Sequence, residues 1–566
     1  MIAELLASLV LVLGVAFGIA RPVADRLGLR PVEAVVAGAA LSLVAAFAVL
    51  WAVFTLGLPL GLYWLVPAAA AAGIAAGWRG VAALLRDGAA RELMGCQLMV
   101  TAWCASFLAL LHEYTGGAWI ADWYEHWERA GYFLRLWPAD RLFIGRYLLP
   151  ARPPLANLLV AGFMRMTSVS FPMFQSASTA LCSLAFLPAG LLAWRFGGRR
   201  GLRMSAVAFM ASPLFIQNAT YPWTKLEAAF FVLCALYFVA RMRDGGRGSA
   251  ACGLLAAVCL AGGILAHYSA GPYAAVLALS WILLGVRSRW ALPTVRLTLL
   301  SAAAGAAVLA LWFGWSVTAY GARVTFLSNS TAEMAGMAPM SPLLAMLLNI
   351  RDTLVPAVVR GFHGRMFVQA NPWGAFRDHC FLLYQLDPVL AMGSVACLVA
   401  ARGAARAWAA ASRADRAFWT GILLGIFLLS FAAYGDRDRY GIGHLCLQGL
   451  VLLGVAFAAA QWDSLGRGWR AALCLGWCAD FCLGVALQAG LEGMADPLRP
   501  GRGLAIDPAG LSLMSQENIG EKMVAHLAFV ADTLPIRTVH VLLLLGALLL
   551  LALVRARGQV AADPGP

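Results

Sequence analysis

Between positions 122 and 128 the chain reads DWYEHWE, which sets three carboxylates and an imidazole at spacings of three and four residues. On a helix such residues share a face, so Asp122, Glu125 and His126 can converge, with Glu128 one turn further on. The chemistry open to such a group is proton transfer. The same spacing also suits a plainer arrangement, an amphipathic helix on a membrane surface. Its acids would then face water, with Trp119, Trp123, Tyr124 and Trp127 at headgroup depth.

Three further polar spots stand at expected outer helix ends, the first two with residues suited to holding an anion and the third with residues that either face the same cavity or rest at the interface as belt residues. Lys225, one of two lysines in the chain, stands in YPWTKLE with Glu227 two residues on. It can grip a phosphate, or simply snorkel from a helix end. The turn YGDRDRYGIGH supplies Arg437, Arg439, Tyr440 and His444; its guanidinium forks can clasp a phosphate, or pair with Asp436 and Asp438 in a solvated turn. HYSAGPY places His267, Tyr268 and Ser269 at one helix end. Asp480 stands inside an apolar run, where a carboxylate must be protonated, paired or turned to a cavity.

The framework that must position these groups is apolar throughout. Of 566 residues, 62% are hydrophobic and 12% charged, against about 25% charged in a soluble domain. A crossing takes roughly 20 apolar residues. Segments of that kind lie near 3–20, 33–56, 59–77, 95–112, 173–194, 204–220, 227–240, 251–267, 272–286, 297–319, 386–401, 418–434, 442–460, 471–490 and 536–554. The pattern predicts an all-α, polytopic integral membrane protein with about 15 transmembrane helices. The first segment has no basic residue before it and no small-residue cleavage site, so it reads as a retained helix.

The net charge of +14 is explained by topology, because the basic residues form no patch fit for nucleic acid. With the N-terminus outside, about 24 of the 42 Lys+Arg fall in short inner connections such as WRFGGRRGLR and GVRSRW. The long polar segments 113–172, 320–385 and 491–535 then all lie outside, and the last two can act as lids over a site. Twelve cysteines sit mostly inside helices, and the stripe Cys474, Cys478 and Cys482 reads as small packing residues, not metal ligands.

The order of an acid-rich helix after an inward-to-outward span, a basic stretch and then R-P-P-L resembles the first external loop of GT-C membrane glycosyltransferases. The nearest branch is that of the protein O-mannosyltransferases and lipid A aminoarabinose transferases. Asp122, His126, Arg152, Pro153, Pro154 and Leu155 match its pattern. The family's paired D-E is here Asp122-Trp123, and three helices precede the span that leads into the loop. The resemblance therefore divides the chain into an N-terminal extension (1–94), a GT-C-like core (95–460) and C-terminal helices (461–566).

The resemblance implies a glycosyltransferase that moves a sugar from a polyprenyl-phosphate donor to an envelope lipid, glycan or protein. The site would lie at the outer, periplasmic side of the cytoplasmic membrane. Asp122 would be the general base, with Glu125 and His126 beside it. Arg152, Lys225, Glu227, His267, Tyr268, Arg437, Arg439, Tyr440 and His444 would line the substrate site. No nucleotide-binding motif is present, in keeping with a lipid-linked donor. No cofactor is expected, although Asp122, Glu125 and His126 offer a divalent cation part of a coordination sphere. The competing readings are a transporter or flippase of lipid-linked or small polar substrates, and a silent scaffold of envelope assembly.

Overall fold

The computed structural model describes residues 2–112, 114, 122–138, 140–144, 147–246, 248–287, 292–328, 341–355, 384–385, 387–433, 444–486 and 527–557. Among them the chain is helical, and the one backbone pairing of β type is an isolated antiparallel bridge between Phe143 and Tyr147. Nine of the described helices are long and apolar enough to cross a membrane, or up to eleven if two bent pairs each count as one span. The protein is an all-α, multi-pass membrane protein.

Several of the expected spans are broken, and the breaks have identifiable causes. The stretch expected at 59–77 runs as Leu60–Trp64 and Leu65–Ala76, then turns by 70° at Gly77 into a separate helix, Trp78–Arg86. That expected at 386–401 is divided into Pro388–Met392 and Ser394–Ala410 by Gly393, whose φ of +91° favours glycine. The Phe186–Ala211 helix reverses at Gly197–Gly198, with φ +60° at Gly198, on the expected inner turn. Here Gly197 lies so close to the Ala460 carbonyl that no Cβ would fit.

The expected 204–220 span ends at Ser212, whose hydroxyl accepts from the Phe215 amide (3.3 Å) and starts a new helix, Pro213–Thr220. The next helix, Lys225–Asp244, leaves at 119° to it. This sharp corner delivers Tyr221, Trp223 and Lys225 to the loop that carries Asp122.

The basic short turns meet at one end of the bundle, as the charge distribution requires. Arg195 pairs with Asp244 (2.7 Å), Arg200 with Asp463 (2.9 Å) and Arg243 with Asp415 (2.6 Å). Glu92 is held by Arg203 (3.0 Å) and Arg555 (2.8 Å), tying the last helix to the first half of the chain. The exposed pairs of Arg195, Arg200 and Arg243 contribute little individually, so their main effect is on register. The Gly88–Phe107 helix runs from this end to the loop bearing Asp122.

The first hundred residues are packed into the rest. Glu33, fully buried in the Pro31–Thr55 helix, accepts from the Tyr237 hydroxyl (2.9 Å) and Arg241 Nε (3.1 Å). Further along, Trp51 Nε1 donates to the Leu311 carbonyl (2.7 Å), its ring meeting Trp312, Trp315 and Phe133 edge-on. Replacing Glu33 with Ala takes the acceptor from the buried Tyr237 hydroxyl and one of several partners from the part-buried Arg241, which also donates to the Gly245 carbonyl (2.7 Å). It is expected to destabilise the protein by about 3 kcal/mol, read as a lower Tm in detergent, whereas Glu33→Gln, which keeps an acceptor, should lose less.

Candidate active site

The helix Asp122–Phe133 hides its charges. Glu125, His126, Glu128 and Arg129 are all buried, so the water-facing surface helix is overturned. Its aromatic residues differ from the interfacial arrangement too: Trp123 is fully enclosed by Tyr114, Phe171 and Phe529, and Tyr124 and Trp127 are half-buried. Trp119 lies outside the described residues.

Buried ions persist only when paired and hydrogen-bonded, and every one here has a named partner. Arg129 Nε donates to Glu125 Oε1 (2.8 Å), while its other nitrogens reach the carbonyls of Leu149 (2.7 Å) and Leu148 (3.2 Å). Those contacts fix the turn that presents Arg152. Arg152 in turn donates to Glu125 Oε2 (3.3 Å) and lies 3.5 Å from Asp122 Oδ1. Glu128 is occupied elsewhere, by Arg141 and by the Ile144 amide (2.6 Å).

Burial alone would raise the Glu125 carboxyl, but Arg152 and Arg129 overcome it and hold Glu125 down to about 2. It is a permanent anion that orients two guanidinium groups. Asp122 moves the other way: burial pushes its carboxyl above the ordinary range, against the opposing pull of Arg152 and Lys225. A fifth of its side chain is open. A partly accessible carboxylate with a raised pKa is suited to take and give a proton.

Trp223 completes this arrangement. Its indole Nε1 donates to Asp122 Oδ2 (3.1 Å), and Lys225 Nζ lies 3.2 Å from the centre of the same ring. One side chain thus touches both the carboxylate and the cation. His126 Nδ1 faces Asn157 Oδ1 at 3.0 Å, and burial lowers the imidazole to about 3, so it is neutral. With the amide oxygen as acceptor, the ring proton sits on Nδ1 and Nε2 is left as an acceptor.

His267 is buried within the electrostatic reach of Arg152, Lys225 and His126, and its Nδ1 accepts from the Ser269 amide (3.1 Å). The Tyr268 hydroxyl donates to the Pro150 carbonyl (3.0 Å), two residues before Arg152. Glu227 is buried against Cys182.

The structure therefore gathers Asp122, Glu125, His126, Arg152, Lys225 and His267, and attaches Tyr268 to the same turn. Arg437, Arg439 and Tyr440 lie outside the described residues, and His444 is described only as the first residue of the helix His444–Ala460. The loops 320–385 and 491–535, expected as lids, also fall largely outside them. The described end of the second docks firmly: the Val530 amide donates to Gln175 (2.9 Å) beside the buried Phe529.

Sequence reading missed Trp223, Asn157 and Arg129. Trp223 stands two residues before Lys225 and Asn157 two after the R-P-P-L stretch, so proximity to a motif was the available signal. Of the three side chains expected to offer a divalent cation ligands, Glu125 is bound on both sides by arginine and His126 Nδ1 is taken by Asn157, which leaves Asp122 and the His126 Nε2. Among the described residues no three His, Cys, Asp or Glu side chains gather as a metal site.

Fold and site define a multi-pass helical membrane protein with a carboxylate, arginine and lysine cluster buried where a bent span meets a helical loop. No family model matches the chain, and no curated protein does. It is similar to the crystal structure of ArnT from Cupriavidus metallidurans bound to undecaprenyl phosphate, at 15% identity and a TM-score of 0.44, over 82% of this chain and 72% of that one. It is also similar to the crystal structure of ArnT from Cupriavidus metallidurans in the apo state, at 15% identity and a TM-score of 0.38, over 77% of this chain and 88% of that one.

The depressed Glu125 carboxyl predicts a pH signature. Its stabilising contribution is complete above its ordinary value of 4.5 and is lost as pH falls toward about 2. Tm should drop across that window in the wild type. Glu125→Ala should already be destabilised by about 3 to 5 kcal/mol at neutral pH and show little further loss there.

Proposed function

We propose that this protein is a membrane glycosyltransferase of GT-C type that moves a sugar from a polyprenyl-phosphate carrier to a hydroxyl of an envelope lipid, glycan or protein. The reaction would take place at the outer face of a bacterial-type cytoplasmic membrane. The observation that carries the reading is the unit of Asp122, Trp223 and Lys225, with Arg152 on the other side of the carboxylate.

The chemistry needs a base for the acceptor and cations where charge develops on the departing phosphate. Asp122 takes the proton of the acceptor hydroxyl as that oxygen bonds to the anomeric carbon. The bond from that carbon to the phosphate oxygen breaks, its electron pair leaving with the lipid phosphate. Lys225 and Arg152 stand where that charge accumulates. The raised affinity of Asp122 for a proton suits the first step, and the constant charge of Glu125 keeps Arg152 in place throughout. His126 and His267, both buried and both held neutral by burial, are placed to meet sugar hydroxyls without adding charge. No covalent intermediate is required, so a single displacement with inversion at the anomeric carbon is expected.

A transporter would need polar groups open along a path through the membrane. The described spans do hold a polar cluster that the sequence reading overlooked: Gln385 donates to Gln217 (3.0 Å) and Gln448 to Asn218 (3.0 Å). These amides are buried and bonded to one another, which supports helix association in preference to conduction.

Transfer of labelled sugar from polyprenyl-phosphate donors, in membranes with matched protein levels, tests the proposal. Asp122→Asn should reduce transfer about a hundredfold or more; equal transfer would remove Asp122 as base and reopen the transporter and scaffold readings. Trp223→Phe keeps the ring under Lys225 but deletes the N–H that favours the charged carboxylate. Its acid limb in a pH–rate profile should move to higher pH, because the base is then protonated at lower acidity, while a purely structural role for Trp223 would leave the limb in place.

A further inference from the structure

The helix Trp78–Arg86 belongs to no part of the site, and its surface is unusual for its position. It follows the apolar Leu65–Ala76 helix after the 70° bend at Gly77, so it runs across the bundle instead of along it. Leu84 is buried in the bundle, and Gly80 packs on Asp25 with no room for a Cβ. The opposite surface is open. Trp78 is 62% exposed and Leu85 54%, seven residues apart and therefore on one stripe. Arg79 and Arg86, also seven apart, form an exposed stripe beside it, with Arg79 5.6 Å from the Trp78 ring centre.

Asp25 is taken by Arg21, and Asp87 accepts from the Ala90 amide (2.7 Å). Arg91 donates to the Leu85 carbonyl (3.3 Å) at the helix end. Neither Arg79 nor Arg86 forms an ion pair among the described residues. The neighbouring Gly88 packs on Arg199, in the turn that also carries Arg195 and Arg200, so the helix lies at the basic end of the bundle. That end is the one the arginine distribution assigns to the inner leaflet.

We infer that Trp78–Arg86 is an interfacial helix that binds anionic phospholipid headgroups of the inner leaflet. Trp78 and Leu85 enter the boundary between headgroups and acyl chains, and Arg79 and Arg86 meet the lipid phosphates just above. The inference rests on the bend, the exposed stripe and the basic end, and not on the glycosyl-transfer reading.

The full-length protein in detergent, offered equal phosphatidylglycerol and phosphatidylcholine, would be examined by native mass spectrometry. The wild type should retain an excess of phosphatidylglycerol that shrinks as ionic strength rises. Arg79→Gln with Arg86→Gln should lower that retention about fivefold or more at unchanged Tm. The pair Arg79→Lys and Arg86→Lys should keep most of it. Arg323→Gln with Arg537→Gln, two exposed arginines at the end of the bundle that carries the Asp122 loop, should leave it as in the wild type. Retention unaffected by the Gln pair, insensitive to salt, or equally reduced by the distant pair would each overturn the inference. Should the Gln pair not fold, the salt titration of the wild type and the Lys pair decide it.

Discussion

Placing four ionisable side chains of one short helix in an apolar surrounding is the constraint on which the rest of this structure depends. Glu125 and Arg129, one turn apart, neutralise each other, and Arg129 then has nitrogens to spare for the carbonyls of Leu148 and Leu149. Those bonds shape the turn before Arg152, which returns to Glu125 and Asp122. Loop conformation, motif spacing and ion pairing are therefore one problem with one solution. Breaking the Glu125–Arg129 pair would leave an uncompensated charge where water cannot reach it.

The membrane framework answers to that local problem. An uninterrupted span would carry Lys225 and Trp223 along the bundle axis. The new helix start at Ser212–Pro213 and the 119° corner turn them onto the loop instead. On the other side, the Tyr63 hydroxyl donates to the Phe133 carbonyl (3.1 Å) and Phe54 packs edge-on against the Phe133 ring, so residues from the first helices close off the C-terminal end of the Asp122 helix. The extra helices before residue 95 are thus in contact with the loop.

Much of this was legible in the sequence, and the limits of that reading have physical reasons. Apolar runs and short basic turns gave the all-α membrane class, because both signals are local. Period alone placed Asp122, Glu125 and His126 together, and the R-P-P-L resemblance added Arg152. Whether their helix faced water was not decidable from period, since a helix of alternating charge and aromatic looks alike at a surface and inside a polar pocket. Only the position of Leu148, Leu149, Asn157 and Trp223 distinguishes the two. The breaks at Gly77, Ser212 and Gly393 were hidden for another reason: hydropathy averages over a window and is nearly blind to a single corner. Trp223 carried no mark of its own among 20 tryptophans.

The indole of Trp223 also acts as a spacer. A rigid ring with the Asp122 carboxyl at its edge and the Lys225 amine on its face keeps acid and base from collapsing onto each other. The two stay apart by the width of one aromatic side chain, acceptor toward Asp122 and donor toward Lys225, so the site keeps a built-in direction that a direct ion pair would erase.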